Sequence, residues 1–376
     1  MLRVGIVSSF MPPHLGGLEV AAKTIFDAYR DAGFEARWIA SRVPENLPPD
    51  GDSNIRVQCW NGLERRFGVP WPIWGPAGVK KLAEIVRWAD VIHVHDCLYL
   101  SSALAVLFAR RLKKPIILSQ HIGFVSYPSI IFNGLERIAY FTLGRSVLRG
   151  VTHVAFCTPA AQEFVIELLR RTPVSGSLIP YGIDTDKFKP PSPSEKAAAR
   201  KMLGLPEVAQ VVLFAGRLVE KKGVNLFLEV SRQMSGYHFL MVGDGPLRPE
   251  HAENVTWIPF IPPEEMAAIY QAADVFFLPS HSEGFPLAIL EAMASGLPVV
   301  TSRGQTFGDI LEREGAGILS ERVPMAFCNT LSEILKTPGL ANSMGVRSRA
   351  LVERDYNIKA IGAKYLRLVK EMVRKS

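Results

Sequence analysis

The chain has 376 residues, of which 48% are hydrophobic and 21% are charged. This composition is typical of a globular protein with room for two separate cores, and it excludes an intrinsically disordered chain. The formal net charge of +7 favours an anionic partner, and nucleotides, anionic lipids and nucleic acids are the general candidates.

Short apolar strands alternate with helical patterns along the chain, which predicts an α/β fold with parallel sheets. The first series of predicted strands covers 3–8, 36–40, 91–95, 115–118, 153–156 and 177–179. The second series covers 210–214, 237–242, 255–259, 275–278 and 298–301. Between them lie a segment rich in Pro, Asp and Gly at 181–193 and a predicted helix at 195–203, which we interpret as a linker between two doubly wound domains. Ligands of such sheets bind at the carboxyl ends of the strands, so we expect the site in a cleft between the domains.

Cysteine usage and hydropathy predict the compartment. The four cysteines are widely spaced and form no C-x-x-C pair, which predicts reduced thiols in a cytoplasmic protein and neither a disulfide framework nor a zinc site. The first residues pass directly into a strand pattern without a signal peptide, and no run of about 20 apolar residues predicts a membrane span.

The loop after the first strand, Phe10–Glu19, contains a pair of glycines. Gly16 and Gly17 permit close approach of a ligand to the backbone, and the N-terminus of the helix that follows favours an anion. His14 in the same loop is either a ligand contact or an ordinary loop histidine.

Histidines mark the ends of two further strands in the first half. His93 and His95 share one strand face, as metal ligands do, but no third His or Cys follows nearby, and the pattern favours a sheet end. His121 follows the strand at 115–118, where it is placed to donate to a sugar hydroxyl or a phosphate oxygen. The alternative for His121 is a structural histidine that caps a loop.

The segment 122–140 mixes aromatic and aliphatic residues and leads to Arg145 and Arg149. Such a segment suits contact with a bilayer or a lipid-linked acceptor. It suits the core of the first domain equally well, and the sequence leaves both alternatives open.

A basic loop follows the strand at 210–214. Arg217 and Lys222 are held at the end of that strand, where a planar guanidinium and a compact ammonium neutralise a diphosphate. A solvated basic loop is the alternative. The nearby Gly243-x-Gly245 is a weak dinucleotide signal because Pro246 interrupts the fingerprint.

The segment from Pro279 to Val300 predicts a strand end, a polar loop and a helix that starts at Pro286 and stops at Gly296. The free amide groups of the first helical turn favour a phosphate. Glu291 lies about 7 Å along the helix from Pro286, at 1.5 Å per residue. Glu291 and the loop residue Glu283 thus flank the anion site, an arrangement that fits a sugar nucleotide.

This segment resembles the E-x7-E signature of the family-4 retaining glycosyltransferases, which have the GT-B fold of two Rossmann-like domains facing a central cleft. The resemblance implies that Glu283 contacts hydroxyls of the transferred sugar and that Glu291 binds the ribose. Residues 216–223 resemble the family's G-R-x-x-x-x-K-G motif, which implies that Arg217 and Lys222 contact the leaving diphosphate.

Further positions follow from the same resemblance. The family's first-domain glycine loop matches Gly16 and Gly17, its histidine matches His121, and Gly243 falls beside the nucleotide. The donor pocket is completed by Gly284, Phe285, Pro286 and Leu287. The implied domains are 1–182 and 183–356, with a last helix, 357–376, that packs back on the first domain.

The resemblance implies transfer of a sugar from a UDP- or GDP-linked donor to a sugar or lipid-linked acceptor, with retention, in the synthesis of a cell-surface polysaccharide or glycolipid. We expect neither a cofactor nor a catalytic metal, since fixed cations and helix dipoles handle the leaving group, and no nucleic-acid partner. Asp184-x-Asp186 matches a metal motif of another fold, but it is interpreted as a structural turn in the linker. The expected location is the cytoplasm, with attachment to the inner membrane face as a further expectation. A non-catalytic nucleotide-binding protein and a sugar-nucleotide epimerase are the alternatives.

Overall fold

A computed structural model describes residues 1–14, 16–44, 47, 51–67, 69–124, 130–170, 172–250, 252–281, 287–304 and 307–375. The chain folds into two units: Met1–Gly182 together with the chain from Lys359 onward, and Ile183–Ile358. Within the described ranges, no helix is both long enough and apolar enough to cross a membrane.

The first unit is built on a sheet of seven parallel strands, in the order β3-β2-β1-β6-β7-β8-β9. These strands are β1 (Arg3–Val7), β2 (Glu35–Ser41), β3 (Asn54–Val57), β6 (Val91–His95), β7 (Ile116–Gln120), β8 (His153–Phe156) and β9 (Gly176–Leu178). A small antiparallel pair is formed by β4 (Cys59–Trp60) and β5 (Ile73–Trp74). The strand order reverses between β1 and β6, and such a reversal leaves a crevice at the carboxyl edge of the sheet.

Helices cover both faces of this sheet. They are α1 (Gly17–Asp31), α2 (Gly62–Phe67), α3 (Pro76–Trp88), α4 (Leu100–Arg111), α5 (Ile130–Ala139), α6 (Arg145–Gly150), α7 (Pro159–Leu168) and the last helix, α15 (Ile358–Lys375). A π-helical turn, Tyr140–Gly144, joins α5 to α6. The apolar stripe of α15, which includes Ile361 and Val369, packs with α1 on one face of the sheet.

The second unit is built on six parallel strands in the order β12-β11-β10-β13-β14-β15. They are β10 (Val211–Ala215), β11 (His238–Val242), β12 (Val255–Ile258), β13 (Val275–Leu278), β14 (Val299–Ser302) and β15 (Gly317–Ser320). The helices are α8 (Pro193–Met202), α9 (Val224–Gln233), α10 (Met266–Ala272), α11 (Leu287–Ala294), α12 (Gly308–Arg313), α13 (Pro324–Lys336) and α14 (Leu340–Asp355). The strand order reverses between β10 and β13.

The predicted α/β fold with two parallel sheets is confirmed. The sequence analysis missed β3, β15 and the β4–β5 pair. β3 and β15 are edge strands of four residues that mix polar and apolar side chains, and β4 and β5 have only two residues each. The strand predicted at 115–118 extends to Gln120. The helix predicted from Pro286 is described from Leu287, and Pro286 itself lies outside the described residues. Its predicted end is confirmed, with Gly296 at a positive φ of 76°.

The segment 122–140 does not lie wholly in the core. Tyr140 is buried, as core packing requires, but the isoleucines of α5 face solvent. Ile130 is 87% exposed, Ile131 75% and Ile138 62%. The core alternative is therefore wrong for the isoleucine face of α5, although Glu136 of the same helix is buried. Residues 125–129 lie outside the described ranges.

Candidate functional site

The carboxyl edge of the second sheet brings three loops together at the strand reversal. The loop after β10 is fixed to the loop after β11 by backbone hydrogen bonds from Leu218 N to Asp244 O (3.0 Å) and from Leu247 N to Leu218 O (3.1 Å). The loop after β13 joins them because His281 N donates to Lys221 O at 2.6 Å. These contacts fix the backbone on which the predicted diphosphate-binding side chains lie.

Two glycines allow these loops to pack closely against one another. Gly243 has a φ of 137°, and a Cβ on it would lie 1.9 Å from the carbonyl oxygen of Gly216. Gly223 has a φ of 76°, and a Cβ there would lie 2.1 Å from the carbonyl oxygen of Pro279. Both positions combine a left-handed backbone with contact to a neighbouring main chain, so only glycine fits.

The predicted cations lie in the first of these loops. Arg217 comes just after β10, separated from it by Gly216, and its side chain is exposed. Lys222 ends a 3₁₀ turn, Glu220–Lys222, and is half-buried. Both therefore lie at the edge where a parallel sheet accepts its ligand.

Glu291 lies on α11 and is held by a tyrosine. The Tyr270 hydroxyl donates to Glu291 Oε2 at 2.6 Å, a short distance typical of a charge-assisted hydrogen bond. Burial raises the pKa of Glu291 to about 7, against the opposing effects of the Tyr270 hydrogen bond and the Lys187 charge. The predicted site residues Glu283, Gly284, Phe285 and Pro286 lie outside the described residues.

In the first unit, the glycine loop after β1 contains a histidine held between two carboxylates. His14 Nδ1 lies 3.0 Å from Glu19 Oε1, and His14 Nε2 lies 3.1 Å from Glu64 Oε1. Burial by itself lowers the pKa of His14, but its hydrogen bonds to both carboxylates outweigh that effect and raise the pKa to about 9. His14 is therefore a cation at neutral pH and more than an ordinary loop histidine.

The glycine pair lies next to this cluster. Gly16 and Gly17 are exposed at the start of α1, and Glu19 Oε2 would lie 2.2 Å from a Cβ on Gly16. The carboxylate of Glu19 thus covers the first turn of α1, where the sequence predicts an anion. An incoming anion at this turn meets the charge of Glu19 as well as the helix amides.

His121 lies in a buried stack at the carboxyl ends of β6 and β7. His93 and His95 stack with ring centroids 4.8 Å apart, and His95 and His121 stack at 5.2 Å. His121 Nε2 lies 2.9 Å from His95 Nδ1, and His121 Nδ1 lies 2.8 Å from the Tyr181 hydroxyl. Burial lowers the pKa of His121 to about 3, so the ring is neutral. Both ring nitrogens already have partners within this unit.

The sequence analysis did not identify Asp96, which directly follows His95, as a site residue. It has a φ of 57° and is buried, and its Oδ1 accepts from His121 N (3.0 Å) and from Gln120 Nε2 (2.9 Å). Burial raises the pKa of Asp96 to about 7. Its place directly after a buried strand was the available signal. No sequence signal pointed to Glu64 or Tyr270, because their partners, His14 and Glu291, are distant in sequence.

Asp184 and Asp186 have the spacing of a metal-binding motif. Among the described residues, no group of three or more His, Cys, Asp or Glu side chains is arranged to hold a metal ion. Asp184 Oδ1 accepts from the backbone N–H of Asp186 (2.9 Å) and of Lys187 (3.0 Å), which is the structural turn that the sequence predicts.

Two family models match the chain. The model described as Glycosyltransferase Family 4 matches residues 15–187, and the model described as Glycosyl transferases group 1 matches residues 195–351. D-inositol 3-phosphate glycosyltransferase of Segniliparus rotundus is 35% identical over 45% of this chain and 41% of its own length. The chain thus spans less than half the length of that relative.

Two further matches extend over most of the chain. Alpha-monoglucosyldiacylglycerol synthase of Streptococcus pneumoniae is 25% identical over 96% of this chain and 83% of its own length. The structure of Anabaena HepE in complex with UDP-glucose covers 99% of this chain and 100% of its own, with 16% identity and a TM-score of 0.74. That structural likeness supports the fold alone. With one family model on each unit, the chain belongs to the family-4 glycosyltransferases and has the GT-B fold.

Proposed function

We propose that the chain is a retaining glycosyltransferase that moves a sugar from a nucleoside diphosphate sugar to an acceptor hydroxyl. The observation that carries this proposal is the strand reversal of the second sheet, where Arg217 and Lys222 follow β10 and the helix with Glu291 follows β13. Family membership supports it, and so does the UDP-glucose in the Anabaena HepE structure.

The proposed reaction is substrate-assisted. The acceptor oxygen forms a bond to the anomeric carbon on the face from which the diphosphate leaves. The bond between the anomeric carbon and the phosphate oxygen breaks, its electron pair stays on the diphosphate, and the acceptor proton passes to that oxygen. Arg217 and Lys222 stabilise the charge that builds on the diphosphate, so the residues supply what a metal otherwise supplies. Activity that survives EDTA supports this, and loss that manganese restores contradicts it.

The remaining roles are assigned by motif. Glu291 binds the ribose, Glu283 binds hydroxyls of the transferred sugar, and Gly16 and Gly17 approach the diphosphate and sugar. His121 holds its loop through its ring partners, and direct donation to a sugar requires Tyr181 to release His121 Nδ1.

The test uses the purified chain with UDP-, GDP- and ADP-sugars. A thermal-shift panel of UDP, GDP and ADP first identifies the base, since a ligand at 100 times its Kd stabilises by about 2.7 kcal/mol. Release of the nucleoside diphosphate is then measured with and without acceptor. Transfer predicts release that depends on acceptor and a glycoside with the donor's anomeric configuration. A non-catalytic binder gives no release, and an epimerase gives a changed sugar nucleotide without acceptor.

For the acceptor, we propose a lipid-linked molecule at an anionic membrane surface. The exposed isoleucines of α5 form an apolar face, and exposed Arg137 and Arg149 lie close to it in sequence. A groove of about 350 Å³ beside this region is lined by Leu107 and Leu143 together with Arg110 and Arg111. Apolar burial and attraction of about 1 kcal/mol per basic residue both favour anionic lipid. The name of the Streptococcus pneumoniae relative, a glucosyldiacylglycerol synthase, supports a lipid acceptor.

Co-sedimentation with anionic vesicles at low salt tests this surface. Ile138→Glu removes an apolar contact of α5, and Val346→Glu on α14 is a matched control because both side chains are 62% exposed. We expect binding by the wild type and by Val346→Glu, and weaker binding by Ile138→Glu. No binding by the wild type, or equal binding by all three, contradicts the proposal.

A further inference from the structure

Tyr270 is a fully buried tyrosine whose ring and hydroxyl have different surroundings. The ring lies edge-on to Phe188, with centroids 5.7 Å apart, and near Phe276 at 6.1 Å. The hydroxyl points to Glu291 Oε2 at 2.6 Å. Packing accounts for the ring alone, since a phenylalanine fills nearly the same volume. The hydroxyl is therefore present for the carboxylate.

The hydrogen bond from Tyr270 holds one carboxylate oxygen of Glu291, Oε2, and leaves Oε1 available to a ligand. A carboxylate has two oxygens with about four lone-pair sites, so a hydrogen bond to Oε2 leaves Oε1 able to accept from a ribose hydroxyl. Because the Tyr270 ring is buried and packs on Phe188, its hydroxyl also restricts the rotation of the carboxylate plane.

The protonation state of Glu291 depends on the same contact. Burial favours the neutral acid, and the hydroxyl of Tyr270 on α10 and the ammonium of Lys187 in the segment before α8 favour the carboxylate. A neutral acid offers a ribose fewer acceptor sites. Removing the hydroxyl therefore weakens ribose binding in two ways: the carboxylate rotates more freely, and less of it is ionised near neutral pH.

We propose that Tyr270 is a positioning residue that orients Glu291 for the ribose hydroxyls of the bound nucleotide. This inference rests on the proposed function, in which Glu291 binds the ribose. It predicts a loss of nucleotide affinity that is specific to the ribose hydroxyls, which a residue that only fills the core does not produce.

The experiment compares Kd values of UDP and 2′,3′-dideoxy-UDP by calorimetry, with GDP and its dideoxy analogue used instead if GDP gives the larger thermal shift. The variants are Tyr270→Phe, Glu291→Gln and the control Tyr356→Phe. Tyr356 is a buried tyrosine of the same unit that packs on Phe307. We expect Tyr270→Phe to weaken UDP binding about tenfold, the loss typical of a hydrogen bond to a charged group, and to leave dideoxy-UDP binding unchanged. Tyr356→Phe should keep the wild-type ratio.

The outcomes separate the two claims. If the wild type binds both nucleotides equally, the ribose role of Glu291 is wrong and the Tyr270 proposal falls with it. If the wild type discriminates and Glu291→Gln does not, while Tyr270→Phe keeps the wild-type ratio, only the Tyr270 proposal is overturned. The pH profile is a second measurement on the same proteins: UDP affinity should rise with pH around 7 in the wild type, and the midpoint should move upward in Tyr270→Phe. An unchanged midpoint also overturns the proposal.

Discussion

The contact of His14 with two carboxylates should make the stability of the first unit depend on pH. The pKa of His14 is raised from 6.5 to about 9 in the folded chain. A raised pKa means that the folded state binds the proton more tightly than the unfolded state. The stabilisation is therefore complete below pH 6.5 and is lost as the pH rises through 9. At 1.36 kcal/mol for each pKa unit, this loss is about 3 kcal/mol.

The assay is urea unfolding of the wild type and of His14→Gln at pH 6 and pH 10, followed by tryptophan fluorescence. Five of the six tryptophans, Trp38, Trp60, Trp71, Trp74 and Trp88, lie in the first unit, so the signal reports mainly on that unit. We expect the difference in unfolding free energy between wild type and variant to shrink by about 3 kcal/mol between the two pH values. A difference that stays the same at both pH values refutes the assignment of His14 as a cation bound to Glu19 and Glu64.

Three further predictions concern the second unit. Gly243→Ala should lower the melting temperature and weaken nucleotide binding, because its Cβ would lie 1.9 Å from Gly216 O, whereas Gly236→Ala, with nothing within 4 Å of the new Cβ, should do neither. Arg349→Ala should lower the unfolding free energy of this unit by about 3 kcal/mol, because the guanidinium donates to the backbone oxygens of Thr185, Phe188 and Ala294. Urea unfolding followed by circular dichroism measures this, and an effect no larger than that of Arg313→Ala, at an exposed arginine, contradicts it. Glu291→Gln should flatten the pH dependence of the unfolding free energy, because the raised pKa of Glu291 gives stability that is present below pH 4.5 and lost as the pH rises through about 7. An equal slope of unfolding free energy against pH in the wild type and the variant contradicts this.

The fold could be predicted because its central strands are apolar on both faces, as buried parallel strands are. The edge strand β3 (Asn-Ile-Arg-Val) could not, since it is half-exposed and too short to stand out from a loop. The positions of Arg217, Lys222 and Gly243 were likewise predicted, because strand-end loops of a doubly wound sheet meet at one edge.

What the sequence could not provide is the pairing of distant side chains. The sequence left two interpretations of His14 open, a ligand contact and an ordinary loop histidine. Its contact with Glu64 from α2, which is distant in sequence, shows that the His14 ring is held as a cation. His121 was predicted to face a ligand, yet its ring nitrogens are held by His95 and Tyr181. Such contacts depend on how helices and strands pack in space, and no local spacing rule encodes them.

The central claim is that the cations after β10 stabilise a diphosphate that becomes more negative as the glycosidic bond breaks. The most direct measurement is the single-turnover rate of nucleoside diphosphate release, in the presence of acceptor, for Lys222→Ala and for the control Lys221→Ala. Lys222 is half-buried at the end of the 3₁₀ turn, whereas its neighbour Lys221 is exposed. The account predicts a rate about a hundredfold lower for Lys222→Ala and a rate near wild type for Lys221→Ala. Equal rates in both variants and the wild type, with each protein folded, would contradict it.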